Sequence, residues 1–237
     1  MSFADIGLLL VLIVLVVTSI LSRKLTVSGG ISGGLVALCI YLGAGLCGVT
    51  MLGTFFLAGT LATRWGLRKK EALGYAEHDK GRRKASQVFA NGGLAAICGM
   101  LAYLLPPYRE MLVLMIAASF SSAAADTLSS ELGTLYGKSF YNIVSLRPDT
   151  RGENGVVSLE GILIGILGSF MIALVYAAFY RTSHNAMTIV LAGTVGNLAD
   201  SVIGAIWERR GLIKNDAVNF LNTLAAALVA LCISYLT

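Results

Sequence analysis

Residues 111–136 read MLVLMIAASFSSAAADTLSSELGTLY. The run is long enough to cross a bilayer, which takes about 20 mostly apolar residues. Its last third nevertheless carries two carboxylates, Asp126 and Glu131. An acidic residue at the centre of a membrane helix costs roughly 2.5–3.5 kcal/mol on insertion scales, so such a residue calls for a partner or a purpose. The helical period supplies part of the answer. Ser119, Ser122, Asp126, Ser130 and Gly133 follow one another at three- and four-residue intervals, which gives this span one small, polar face. Five residues separate Glu131 from Asp126, a rotation of about 140°. Glu131 therefore addresses a different neighbour, unless the helix loosens at that end.

The rest of the chain has the same character. Of 237 residues, 56 % are hydrophobic and 13 % charged, and the mean hydropathy is +0.78. Soluble domains carry about 25 % charged residues. The expected fold is all-α: a polytopic membrane helical bundle forming one domain over residues 1–237. Apolar runs and breakers place spans near 4–22, 29–46, 48–63, 85–105, 111–136, 156–180, 186–207 and 216–236. The second and third meet at GAGLCG, residues 43–48, which suits either a tight turn between short helices or a re-entrant hairpin. Merging them would leave seven spans.

Charge decides for eight. With the N-terminus outside, all but two of the 18 lysines and arginines fall in inner connections, Arg109 and Arg181 being the exceptions. That is the asymmetry of a polytopic protein, and merging two spans would destroy it. The same distribution accounts for the net charge of +5 without a nucleic-acid partner, since no basic stripe forms. The basic connection 64–84 is expected to be cytoplasmic and to touch anionic lipid. The N-terminal run lacks a basic leader and a small-residue cleavage site, and is expected to stay as a span. Cys39, Cys47, Cys98 and Cys232 sit singly in apolar runs, as small hydrophobic residues do.

Polar residues inside the spans share the cytoplasmic half. Gln87 and Asn91 open the fourth span and Glu160 the sixth. Asn197 and Asp200 lie late in the seventh, on a stripe with Gly193, Gly196 and Gly204, and Asp216, Asn219 and Asn222 open the eighth. Helix-to-helix hydrogen bonding, worth about 0.6 kcal/mol per bond, is a poor return on the insertion cost. A site is the better explanation.

Its chemistry follows from the donor types. Carboxylate and amide oxygens suit a hard cation, and Mg²⁺ uses one or two carboxylates together with substrate phosphates. Asp126, Asp200, Glu131 and Asp216 are the candidate ligands. His78 and His184 fall on opposite membrane sides, which leaves no transition-metal set and no Ser–His–Asp triad. The connection 137–155 is a candidate phosphate-binding loop. It carries Lys138, Arg147 and Arg151, and its GENG turn with Asn154 leads into the sixth span, whose first turn offers free N–H groups. Gln87, Asn91, Lys138, Asn154, Glu160, Asn197 and Asn219 are the candidate substrate contacts. Asp126, Glu131, Asp200, Arg147 and Arg151 are the candidates for chemistry.

QVFANGG at 87–93, ADTLSSELG at 125–133, GENGVVSLEG at 152–161, GTVGNLADSVIGA at 193–205 and NDAVNFLNT at 215–223 together resemble the membrane family that includes plant phytyl-phosphate kinase. The resemblance implies CTP-dependent phosphorylation of an isoprenoid monophosphate to the diphosphate. Carried over by position, it places Asn91, Asp126, Glu131, Asn154, Asp200, Asp216 and Asn219 in the site. The chain departs from the family pattern at Glu153 and Val156, where Thr and Gly are usual, and at Leu128, where an aromatic is common. The partners implied are a nucleoside triphosphate (CTP), an isoprenoid lipid phosphate whose tail lies in grooves between spans, and membrane lipid. The active site would face the cytoplasm, at the plasma membrane in a prokaryote. A lipid cytidylyltransferase would need similar metal chemistry. A cation-coupled transporter also uses intramembrane carboxylates.

Overall fold

The computed structural model describes residues 3–74, 81–180 and 183–236. His78, Lys80 and Arg181 lie outside the described residues. The helices are α1 (Phe3–Leu21), α2 (Val27–Arg64), α3 (Leu67–Leu73), α4 (Ala85–Leu104), α5 (Arg109–Tyr136), α6 (Leu159–Tyr180), α7 (Ser183–Ile203) and α8 (Asn215–Leu236). Strand is confined to a two-residue ladder between β1 (Tyr141–Asn142) and β2 (Val156–Val157). The protein is an all-α membrane helical bundle. Six helices among the described residues are long and apolar enough to cross a bilayer.

One of the six folds back on itself. α2 has 38 residues, about 57 Å if straight, against a hydrocarbon core of about 30 Å. It breaks at Gly45, whose φ of 59° and ψ of −147° suit glycine alone. Beyond Gly45 the chain doubles back. A β-carbon on Gly48 would stand 2.5 Å from Cγ2 of Ile40, although eight residues of straight helix span about 12 Å. At the far ends of the two arms, Gly29 and Gly59 both abut Arg83. GAGLCG is therefore the tip of a helical hairpin, and with α1 the described chain has eight apolar helical segments. At the tip, the Arg109 Nε donates to the Gly43 carbonyl at 2.8 Å. The tip of the hairpin and the Pro106–Tyr108 turn thus share one end of the bundle.

α5 is the axis, packed against α2, α4, α6, α7 and α8. Its small residues make this possible. Ser119, Ser121 and Ser122 are wholly buried, and a β-carbon on Gly193 or Gly196 would lie 2.0 or 2.2 Å from the Ser121 or Ser122 hydroxyl. α7 reaches α5 only because those positions are glycine. Asp126 thus faces protein, not lipid. Beyond it, towards the hairpin tip, Val113, Ile116 and Phe120 fill the bundle, and Phe120 stacks on Phe55 with ring centres 6.0 Å apart.

Candidate functional site

At the other end, the second half of α5 meets the first turns of α4, α6 and α8, the last turns of α7 and the connection 137–158. They enclose a polar cavity of about 230 Å³. The Asp126 and Asp200 carboxyl groups reach into it from α5 and α7 as interacting neighbours. Two carboxylates so placed repel unless a proton or a cation lies between them.

The surroundings fix their orientation. Asn222 Nδ2 donates to Asp200 Oδ1 at 2.7 Å. The Ser122 hydroxyl donates to Asn222 Oδ1 at 3.1 Å, which sets the amide with its nitrogen towards the carboxylate. One turn beyond Asp126, Ser129 Oγ donates to Asn197 Oδ1 at 3.1 Å. α7 then widens into a π-helical turn, Gly204–Glu208, closed by Arg209 N–H to the Gly204 carbonyl at 3.0 Å. This brings Glu208 to the cavity, beside Asn154 of the GENG turn. Gly155, at φ +76°, presses on that turn: a β-carbon there would stand 2.3 Å from Ala205. On α4, Asn91 Nδ2 bonds its own helix at the Gln87 carbonyl, 3.0 Å away. The Asn91 Oδ1 is buried and has no partner among the described residues.

The connection 137–158 is braced rather than loose. Asn142 Oδ1 accepts from the Val144 and Ser145 amides at 3.0 Å each. Arg209 pairs with Asp149, which ties the loop to the end of α7. That guanidinium holds the Asp149 carboxyl well below the usual carboxylate range, and the Arg209 pKa rises in turn.

Over residues 10–227 the sequence matches the family described as Integral membrane protein DUF92. The chain belongs to the DUF92 family. It is 32 % identical over 219 residues to the chloroplastic protein VTE6 of Arabidopsis thaliana, covering 90 % of this chain and 66 % of that one, just under two thirds of its length. It is 33 % identical over 195 residues to an uncharacterized membrane protein of Synechocystis sp., covering 81 % of this chain and 76 % of that one. It is also 32 % identical over 216 residues to one of Methanocaldococcus jannaschii, covering 90 % and 87 %. No solved structure matches it.

In this DUF92 protein Gln87, Asn91, Asp126, Glu131, Asn154, Asn197, Asp200 and Asn219 line the one cavity. Glu131 does so from the side: its carboxylate is paired with the ammonium of Lys70 on α3, which also donates to the Ala62 carbonyl at 2.8 Å. The 140° turn away from Asp126 thus leads to a cation, not to the aspartate pair. Asp216 stands outside, in a groove between α4 and α8 beside Phe89 and Phe220. No group of three His, Cys, Asp or Glu side chains gathers around a common point among the described residues. Of the four carboxylates expected from the sequence as ligands, the structure brings Asp126 and Asp200 together.

The cationic donors expected of the loop also lie elsewhere. Lys138 and Arg147 are exposed and line no part of the cavity. Arg151 stacks on Phe140 at 4.6 Å and donates to the Gly137 carbonyl at 3.0 Å. The Glu160 carboxylate accepts the Lys138 amide at 3.4 Å. The cation that lines the cavity beside Gln87 and Asn91 is Arg83. It precedes α4, in an extended segment that bridges Leu25, so helical spacing could not point to it. Glu208 had no signal either, because the π turn that delivers it has none.

Proposed function

We propose that the protein is a membrane-embedded phosphotransferase that moves the γ-phosphoryl group of CTP to an isoprenoid monophosphate, giving the diphosphate and CDP. The observation that carries this reading is the contact of Asp126 with Asp200 inside a polar cavity at the loop-bearing end of the bundle. The resemblance to the family that includes plant phytyl-phosphate kinase supplies the substrate class.

Asp126 and Asp200 are all-oxygen donors, and among the described residues no His or Cys lines the cavity. The set fits Mg²⁺, which needs one or two carboxylates and completes its shell with phosphate and water. When bound there, Mg²⁺ supplies charge neutralisation on the donor phosphates.

The chain itself orients and neutralises. An ionised oxygen of the acceptor monophosphate forms the new bond to the γ-phosphorus. The bond from that phosphorus to the β–γ bridging oxygen breaks, and its electron pair leaves with CDP. The nucleophile is already ionised, so no general base is required. Catalysis is alignment of two anions in a dry site. Arg83 offsets phosphate charge, and the amides of Asn154, Asn197 and Asn219 donate to non-bridging oxygens. The packed apolar segment around Ile116 and Phe120 closes the cavity away from the hairpin end, which favours an enzyme over a transporter.

The test is incubation of the purified protein with CTP, Mg²⁺ and prenyl monophosphates. Equimolar CDP and prenyl diphosphate are expected. Release of pyrophosphate would assign a cytidylyltransferase instead. No product with any of the four nucleoside triphosphates would overturn the enzyme reading.

A further inference from the structure

We propose that an apolar chamber beside the polar cavity holds the head-proximal part of the tail of a single-chain lipid phosphate, with Arg83 at the junction. This rests on the phosphotransferase reading and gives its acceptor a place. The chamber, about 140 Å³, lies between α1, both arms of α2 and α4, with Leu15, Val16, Val36, Leu52, Phe56 and Val88 in its walls. It shares Arg83, Gln87 and Asn91 with the polar cavity, so the residue just before α4 and one face of its first turns form the partition between them.

Two features of that partition point to an amphipathic anion. The Arg83 guanidinium lies 5.1 Å from the Phe55 ring centre and 5.8 Å from that of Phe56. It therefore sits where aromatic wall meets polar cavity, cation towards a phosphate and rings towards a hydrocarbon. The buried Asn91 Oδ1, an acceptor without a donor among the described residues, is on the same wall and would accept a hydrogen bond from the P–OH of a phosphate monoanion. The larger rival groove between α2, α4 and α8, about 610 Å³, shares no residue with the polar cavity. It also carries the Asp216 carboxylate, which repels a phosphate.

The dimensions bound the ligand. On α1 the wall runs from Leu12 to Ser19, roughly 10 Å of helix. An isoprene unit, four chain carbons with bonds of about 1.5 Å, extends roughly 5 Å. The chamber encloses about two units, and the remaining tail passes between helices into the lipid.

Gly53, on the second arm of α2, provides the test. It lines the chamber, and a β-carbon there meets nothing within 4 Å, so a methyl group at 53 enters without a clash and a larger side chain fills the space. A twenty-carbon prenyl monophosphate with a diazirine on its second isoprene unit would be photolysed on the full-length protein in detergent and the label mapped by mass spectrometry. Label is expected on α1, α2 and α4, reduced at least tenfold by Gly53→Phe and less by Gly53→Ala. The ratio of kcat/KM for the twenty-carbon to the five-carbon acceptor should fall at least tenfold in Gly53→Phe. Leu15→Trp, from the α1 wall, should act alike should Gly53→Phe fail to fold. Label around Phe89 and Phe220, or undiminished label in Gly53→Phe, overturns the chamber. Label in the chamber without phosphoryl transfer keeps it and removes the CTP-kinase reading. Transfer with label elsewhere does the reverse.

Discussion

The Asp126–Asp200 contact is tolerable in the fold only because α5 is surrounded by protein. Replacing either carboxylate with an amide separates its two effects. Asp126→Asn and Asp200→Asn remove charge that holds a cation on phosphate, and turnover should fall roughly 10³-fold, about 4 kcal/mol of barrier. The same changes relieve repulsion between neighbouring carboxylates, so thermal unfolding in detergent should occur at an equal or higher temperature. Near-native turnover at limiting Mg²⁺ in both variants would remove the metal from the mechanism. Lys70 and Glu131 make the opposite case. Their side chains are 2 % and 10 % exposed, and removing one partner strands a buried charge. Lys70→Ala should cost about 3–5 kcal/mol, whereas the double change to Lys70→Met with Glu131→Leu should cost far less. Equal unfolding midpoints for the two variants would show that the pair is unimportant to the fold.

Elements succeed or fail in the sequence according to whether their geometry is ideal. The stripes on α5 and α7 were legible because uninterrupted helix converts spacing into direction. α8 was read too coarsely: Asp216 and Asn219 differ by only 60° around the axis, yet that rotation puts one in the lipid-side groove and the other in the cavity. At Gly45 the glycine-rich residues 43–48 reverse α2, with a φ of 59°. Gly45→Ala should destabilise by about 1–3 kcal/mol, measurable as a lowered unfolding midpoint. The sequence singles out the loop 137–155 for its cations, while its tie to the end of α7 comes from Asp149. That carboxyl has its folded pKa depressed by Arg209. Its contribution is therefore complete above the ordinary aspartate pKa of about 3.9 and fades only as pH falls through the lower, folded value. Hydrogen exchange in residues 141–157 should stay slow on going from pH 7 to pH 5 once corrected for intrinsic rate, and should rise at both pH values in Asp149→Asn. Loosening of the wild-type loop between pH 7 and pH 5 would contradict the pairing.

At the scale of the molecule, the bundle has two unlike ends, and the functional reading depends on which one meets the cytoplasm. One end carries the hairpin tip at Gly45, the Pro106–Tyr108 turn and Arg109. The other carries the cavity, the 137–158 connection and most of the lysine and arginine. Cations are retained on the cytoplasmic side during insertion, so the cavity end should face the nucleotide pool. Lys70, one of the basic residues at that end, is buried against Glu131 and two helix carbonyls, so packing accounts for its placement and the orientation rests on the exposed cations. With Cys39, Cys47, Cys98 and Cys232 replaced, a single cysteine at Arg68, which is exposed, should resist a membrane-impermeant thiol reagent in intact cells and react once the membrane is opened. A cysteine at Tyr108, 53 % exposed, should react in both. The reverse pattern would place Asp126 and Asp200 where no cytoplasmic nucleotide reaches them, and a CTP-dependent reaction would then be impossible at this cavity whatever its geometry.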